Sequence, residues 1–291
     1  MSRSQEVSLF TLPGLAAEAL GSYLAEQLNR TFGSTDARLT KLVPYLSKLA
    51  FDWIGNSNAL YHNVEHTMLV TQVGNEIMAG RARLMPTSAN DYAHVIAACL
   101  FHDIGYVRGI LKGDGADGYV IDSEGGKTAL GRGSSDAALM PYHVDRSKLF
   151  VKERIARSEL LDADRISSAI ECTRFPPVHG PNDKNSEGFL VRAADLIGQL
   201  GDPHYLRKAN ALYHEFEEVG MNRKLGYASP ADLTDRYPQF YWSSVSVHIQ
   251  PAVRYLNVSS SGRQWISNLY SNVFRAELAA MRLPSRSSRS T

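Results

Sequence analysis

The sequence predicts an all-α fold in a single domain. Three observations carry that expectation. Apolar residues recur at three- and four-residue spacing over most of the chain, as helices with one buried face require. Two-residue alternation of β-branched residues is scarce, which leaves no substantial sheet. No fixed-period repeat and no interior linker divides the 291 residues, so 1–282 is expected to be one helical unit and the polar, basic 283–291 a disordered tail.

The helical pattern begins at 15–30 (LAAEALGSYLAEQLNR) and continues at 37–54, 64–79 and 88–102. It resumes at 136–156, 162–174, 188–200, 203–218, 231–256 and 261–282. Ser88, Asp136, Asp162 and Ser229-Pro230 stand where helices should open. A short polar side chain can accept from the first unpaired N–H groups, and proline lacks only an N–H that would have no partner there. Between the fourth and fifth helices, residues 105–133 carry nine glycines in 29 positions. A segment that long inside a compact domain is usually functional, and it is expected to act as a lid or to touch substrate.

Composition narrows the function classes. The chain is 44% apolar and 21% charged with a net charge of +1, so no electrostatic case exists for a nucleic-acid polymer or a membrane surface. The two cysteines, Cys99 and Cys172, fall in apolar helical stretches and are expected to be buried, reduced thiols. The first residues lack the apolar core of a secretory signal, and no apolar run approaches the ~20 residues needed to span a bilayer. The expected location is the cytoplasm. The three tryptophans, Trp53, Trp242 and Trp265, are expected in the core.

Three segments carry chemistry. In LYHNVEHTMLV, His62 and His66 are four residues apart and are expected on one helix face. Both imidazoles could bind one ion, or one could bind while the other handles a proton. The same residues satisfy H-x-x-E-H, in which Glu65 would activate water at a zinc. In AHVIAACLFHDIGY, His102 and Asp103 end an apolar helix and offer mixed nitrogen and oxygen donors, suited to Mn, Fe, Zn or Mg. In FLVRAADLIGQLGDP, Asp195 interrupts an apolar stretch, where a carboxylate needs a cation, a hydrogen-bond network or a metal.

Taken together, the ordered pattern His66, His102-Asp103, Asp195 resembles the HD superfamily of metal-dependent phosphohydrolases. The resemblance implies a compact helical HD-domain bundle with its core at about residues 50–268. YHNVEH, LFHDIG and AADLIG are also similar to segments of class I cyclic nucleotide phosphodiesterases. On that resemblance His66, His102, Asp103 and Asp195 bind one or two divalent ions, and Asp103 bridges them. A hydroxide between the ions attacks phosphorus, and His62 protonates the leaving oxygen. His143, which opens the helix after the glycine-rich segment in PYHVDRSKLFVKERIA, matches a second-ion ligand of many bacterial HD proteins.

The chain departs from both patterns. Tyr106 stands where those phosphodiesterases carry a further histidine. Met140 or Pro141 falls where they have a glutamate, and Gln239 is two residues out of register with the purine-gripping glutamine. Thr173 replaces a histidine of the dinuclear bacterial sites, and their GYP signature is absent. Phosphate would need cations, for which Arg108 and Lys148 are favoured by proximity, with Lys112, Lys127, Arg132 and Arg174 also available.

The expected activity is hydrolysis of a small phosphorylated substrate, either a phosphodiester or a nucleotide-like monoester. The alternative is a di-iron oxygenase on the same scaffold, acting on a small polar or phosphonate compound. A homodimer is compatible with the sequence, although no exposed heptad stripe demands one. His94, His179, His204, His214 and His248 lack partners in the pattern and are expected to be structural or on the surface.

Overall fold

The computed structural model describes residues 11–33, 37–175 and 185–282; His179 and the tail at 283–291 lie outside them. The helices are α1 (Leu12–Phe32), α2 (Ala37–Ile54), α3 (Val64–Leu84), α4 (Ala89–Phe101), α5 (His143–Ile155), α6 (Ala163–Glu171) and α7 (Glu187–Leu200). They continue with α8 (Tyr205–Glu218), α9 (Met221–Leu225), α10 (Pro230–Asp235), α11 (Tyr237–Phe240), α12 (Ser246–Leu256) and α13 (Ser260–Arg282). Two-residue strands β1 (Tyr119–Val120) and β2 (Lys127–Thr128) pair antiparallel inside the glycine-rich segment. The fold is thus an all-α bundle, as the periodicity requires.

Local chemistry sets most boundaries. Ser88 and Asp91 form a reciprocal capping box at the start of α4, and Asp162 accepts from the N–H groups of Asp164 and Arg165 at the start of α6. Ser229 caps α10 with Pro230 in its first turn. Two expected helices are broken. The stretch 136–156 is a 3-10 turn over Asp136–Tyr142, containing Pro141, followed by α5. Ser135 is its cap, accepting from Ala137 N–H, while Asp136 turns inward. The stretch 231–256 divides into α10, α11, a π-helical turn over Tyr241–Val245 and α12. Pro238 disfavours continuous α-helix at the residue before it.

α3 is the central element, packed against α1, α4, α7, α12 and α13. α4 is buried on all sides from Tyr92 to Phe101, which explains why its sequence is apolar all round. α3 and α7 approach closely at Gly198, where a Cβ would stand 2.8 Å from Val70 Cα. Glu76 of α3 is buried and accepts from the hydroxyls of Tyr23 (3.2 Å), Ser259 (2.8 Å) and Ser261 (2.7 Å), which ties α1 and α13 to the centre.

Some burial expectations change. Cys99 is buried but Cys172 only half-buried, and both are free. Trp53 and Trp265 are half-buried, and Trp242 is 54% exposed on the π-helical turn. α13 exposes Tyr270, Phe274, Leu278 and Met281 at helical spacing, an apolar line that the periodicity did not single out. Among the described residues, no helix is long and apolar enough to cross a membrane.

Candidate functional site

Three junctions meet at one end of α3. Asn63 caps α3, accepting from the N–H groups of Glu65 and His66, which places His66 in the first turn. His102 is the C-cap of α4, and Asp103 follows it into a 3-10 turn over Ile104–Tyr106. Asp195 lies one turn from the α3–α7 contact at Gly198. The close helix approach that only glycine permits therefore also brings Asp195 to His66.

His66 and His102 each stand close to both carboxylates. His66 Nε2 is 3.2 Å from Asp103 Oδ2 and 3.4 Å from Asp195 Oδ1. His102 Nε2 is 3.0 Å and 3.6 Å from the same two oxygens, and the two imidazole nitrogens are 3.4 Å apart. Ligands at about 2.1 Å from one ion stand about 3.0–3.5 Å apart in octahedral or tetrahedral arrangements. The measured edges fall in or next to that range.

The hydrogen-bond pattern is compatible with a cation. His102 Nδ1 faces the Cys99 carbonyl at 2.8 Å, which assigns a proton to that nitrogen and turns Nε2 toward the carboxylates. Asp103 Oδ2 is buried and has no hydrogen-bond donor, although two imidazole nitrogens stand beside it. An imidazole nitrogen and a carboxylate oxygen 3.0 Å apart are held together by a proton or a metal between them.

The electrostatics agree. Burial penalises a charged His102, but Asp103 and Asp195 outweigh that and push its pKa well above the ordinary value. Burial would raise Asp103 and Asp195; the facing imidazoles instead hold Asp103 well below the carboxylate range and bring Asp195 down to about 2. The pocket thus keeps its carboxylates ionised.

His62 is not on the helix. It precedes Asn63, so the expected shared helix face with His66 does not exist. A residue that sequence reading missed places it. Glu215 of α8, 1% exposed, accepts from the Tyr61 N–H (2.7 Å), the His62 N–H (3.2 Å) and His62 Nδ1. The other imidazole nitrogen is then left for the cluster, and His62, His66 and Asp103 bring donor atoms within 4.8 Å of one another. Burial opposes a charged His62, but Glu215, with Asp103 and Asp195, raises its pKa to about 9. In the sequence Glu215 is one of three glutamates in LYHEFEE, with nothing local to pair it to His62.

His143 opens α5 and stands 3.7 Å, through Nε2, from Asp103 Oδ1. Its Nδ1 faces the Met140 carbonyl, and burial lowers its pKa. Tyr106 stacks on both His62 and His143 with ring centroids 4.6 Å apart in each case.

Of the expected phosphate-binding cations, Arg108, Lys127, Lys148 and Arg174 have other partners. Arg108 pairs with Asp136, Lys127 with Asp117, and Lys148 with Asp145 (2.9 Å) and Glu171 (2.6 Å). Glu65 is 56% exposed and pairs with Lys208 at 2.8 Å, so it does not face the cluster as an H-x-x-E-H base would. His94 is structural: its Nδ1 faces the Asn90 carbonyl and its Nε2 accepts from Asp162 N–H.

The Lys148–Glu171–Arg174 group makes a pH prediction. Arg174 first, and then Lys148, hold Glu171 at about 2 against its ordinary 4.5. A depressed folded-state pKa gives stability that is present above the unfolded value and lost as pH falls toward the folded one. Urea midpoints of wild type and Glu171→Gln should therefore differ most above pH 5 and converge as pH drops from about 4.5 toward about 2.

Neither a curated protein nor a solved structure gives a significant match to this chain. One family model does match, from the first turn of α1 into the last turns of α13 and through every residue of the cluster. On that match over residues 12–279, the chain belongs to the Npun_R2479-like family.

Proposed function

We propose that the protein is a divalent-metal-dependent phosphohydrolase acting on a small phosphorylated substrate, such as a nucleotide-like mono- or diester. The observation that carries this is the set of donor edges of 3.0–3.6 Å among His66, His102, Asp103 and Asp195 around a carboxylate oxygen that lacks a hydrogen-bond donor. A Mn, Mg, Fe or Zn ion held there would lower the pKa of a water and offset charge on the phosphoryl group.

The chain's own groups supply the rest. Asp103 and Asp195 are ionised and oriented before any ion arrives, which favours binding without rearrangement. His62 carries a proton near neutral pH and is held by Glu215 with one nitrogen toward the cluster, the arrangement of a general acid for the leaving oxygen. His62, Asp195 and His143 retain side-chain exposures of 12–20% while His66, His102 and Asp103 retain 1–5%, so substrate would approach over the first three. The di-iron alternative needs more histidine donors than this pocket offers, since Tyr106 and Thr173 supply none. We place the protein in the cytoplasm, in keeping with its two free cysteines.

The test is a panel of phosphomonoesters and phosphodiesters assayed with Mn²⁺, Mg²⁺ and Fe²⁺, with Asp103→Ala as the blank. Metal-dependent release of phosphate or alcohol by wild type and none by the variant is expected. Equal rates in the two proteins would overturn the proposal.

A further inference from the structure

We propose that this pocket takes a single tightly held divalent ion, and that the Tyr106 ring, stacked between His62 and His143, is what keeps a second ion out. The inference rests on the metal reading above and concerns how many ions the residues hold.

A first ion would be held by His66, His102 and Asp195, which bring donor atoms within 4.8 Å of one another, with Asp103 Oδ2 beside both imidazoles. Three donors are left nearby: Asp103 Oδ1, His143 Nε2 and the free nitrogen of His62. Tight binding by protein ligands alone takes at least three donors at mutual distances of about 3.0–3.5 Å. Only one such contact comes near that limit, the 3.7 Å from His143 Nε2 to Asp103 Oδ1. No group of three donors within 4.8 Å of one another includes His143 among the described residues. The Tyr106 ring lies within 12° of parallel to His62 and within 22° of parallel to His143, at 4.6 Å from each. A phenol ring in face contact with both imidazoles occupies the volume that an ion shared by them would need.

Tyr106 is fixed in that place. It is 2% exposed, and its N–H donates to the Asp103 carbonyl at 3.1 Å. The preceding Gly105 is clamped on α5: its N–H donates to Ser147 Oγ at 2.8 Å, and its carbonyl accepts from Arg146 Nε at 2.7 Å. A Cβ at Gly105 would meet the His143 carbonyl oxygen at 1.9 Å, so the backbone is in van der Waals contact with α5. Swinging the ring out would require α5 to move.

The full chain is loaded with excess Mn²⁺ and desalted. Ions per chain are counted by mass spectrometry, and the Mn²⁺ electron paramagnetic resonance spectrum is recorded on the same sample. Wild type should retain one ion per chain with the spectrum of an isolated Mn²⁺. Tyr106→His replaces the spacer with a third donor beside Asp103 Oδ1 and His143; it should retain two ions with an exchange-coupled spectrum. Tyr106→Phe keeps the ring and should retain one. Two ions in wild type overturn the inference and leave the metal reading standing. So does one ion in a Tyr106→His protein whose circular dichroism matches wild type. No ion in wild type removes the metal reading and this inference with it. The wild-type count decides the number of ions even where a variant fails to fold.

Discussion

Replacing Arg146 with methionine is expected to destabilise the protein by about 3–5 kcal/mol, the cost of breaking a buried charge pair by removing one partner. The Arg146 side chain is fully buried, and that of Asp114 is 1% exposed. Its guanidinium donates to the Gly105 carbonyl at 2.7 Å, the Val107 carbonyl at 2.8 Å and the Val120 carbonyl at 2.5 Å. It also donates to both Asp114 oxygens, at 3.2 and 3.0 Å. Methionine fills similar volume but leaves three carbonyls without their donor, and leaves Asp114 with only the N–H groups of Val120 and Leu111 and no counter-charge. Against a total stability of about 5–15 kcal/mol, this is a large share. Urea denaturation of the two proteins measures it directly. Arg146→Lys should recover little, because an ammonium cannot reproduce the planar fork. The double variant Arg146→Met/Asp114→Leu should be more stable than Arg146→Met alone, since it removes the unpaired carboxylate.

The same residue shows what became of the glycine-rich segment. Its sequence suggests a lid, yet its first part is bound to α5 through Arg146 and Asp114 from Gly105 to Val120. That anchoring carries directly into the site, because the clamped Gly105 lies between Asp103 and Tyr106.

His62→Ala is expected to lower turnover by about 10²–10⁴-fold on substrates with poor leaving groups, the usual contribution of a general acid. The loss should shrink toward nothing on a nitrophenyl ester, whose oxygen departs without a proton. Metal content should stay at the wild-type level, which separates this role from that of a ligand. The pH profile gives a second measurement. The acid works in its protonated form, and Glu215 raises its pKa above the ordinary histidine value, so activity should fall on the alkaline side as His62 loses its proton. Glu215→Gln removes the main group that raises this pKa and should move that fall to lower pH. An unchanged profile in Glu215→Gln would mean that His62 does not set it.

The helices and the four residues of the cluster were legible in the sequence for the same reason: both are written in short-range spacing. The 3.6-residue period, the Ser88 and Asp162 caps and the apolar run before His102-Asp103 each occupy a few consecutive residues. Asp195 stood out because a carboxylate on an apolar helix needs a partner. Where short-range patterns were over-extended, they failed. His62 and His66 have helical spacing, but the Asn63 cap falls between them. Residues 231–256 have helical periodicity, but Pro238 and a π-helical turn divide them.

By itself, the sequence determined an all-α chain and singled out the four residues that the fold brings together. Tertiary structure alone decided which groups stand beside them. Glu215 reaches His62 across 153 residues, and Arg146 reaches Asp114 across 32. Tyr106 meets His143 only because Gly105 lets the chain lie against α5. The candidate cations Arg108 and Lys148 likewise found carboxylates of their own. The physical reason is that a helix is specified by neighbours along the chain. A buried charge is specified by whichever partner the packing brings within hydrogen-bond distance, and no periodicity records that pairing.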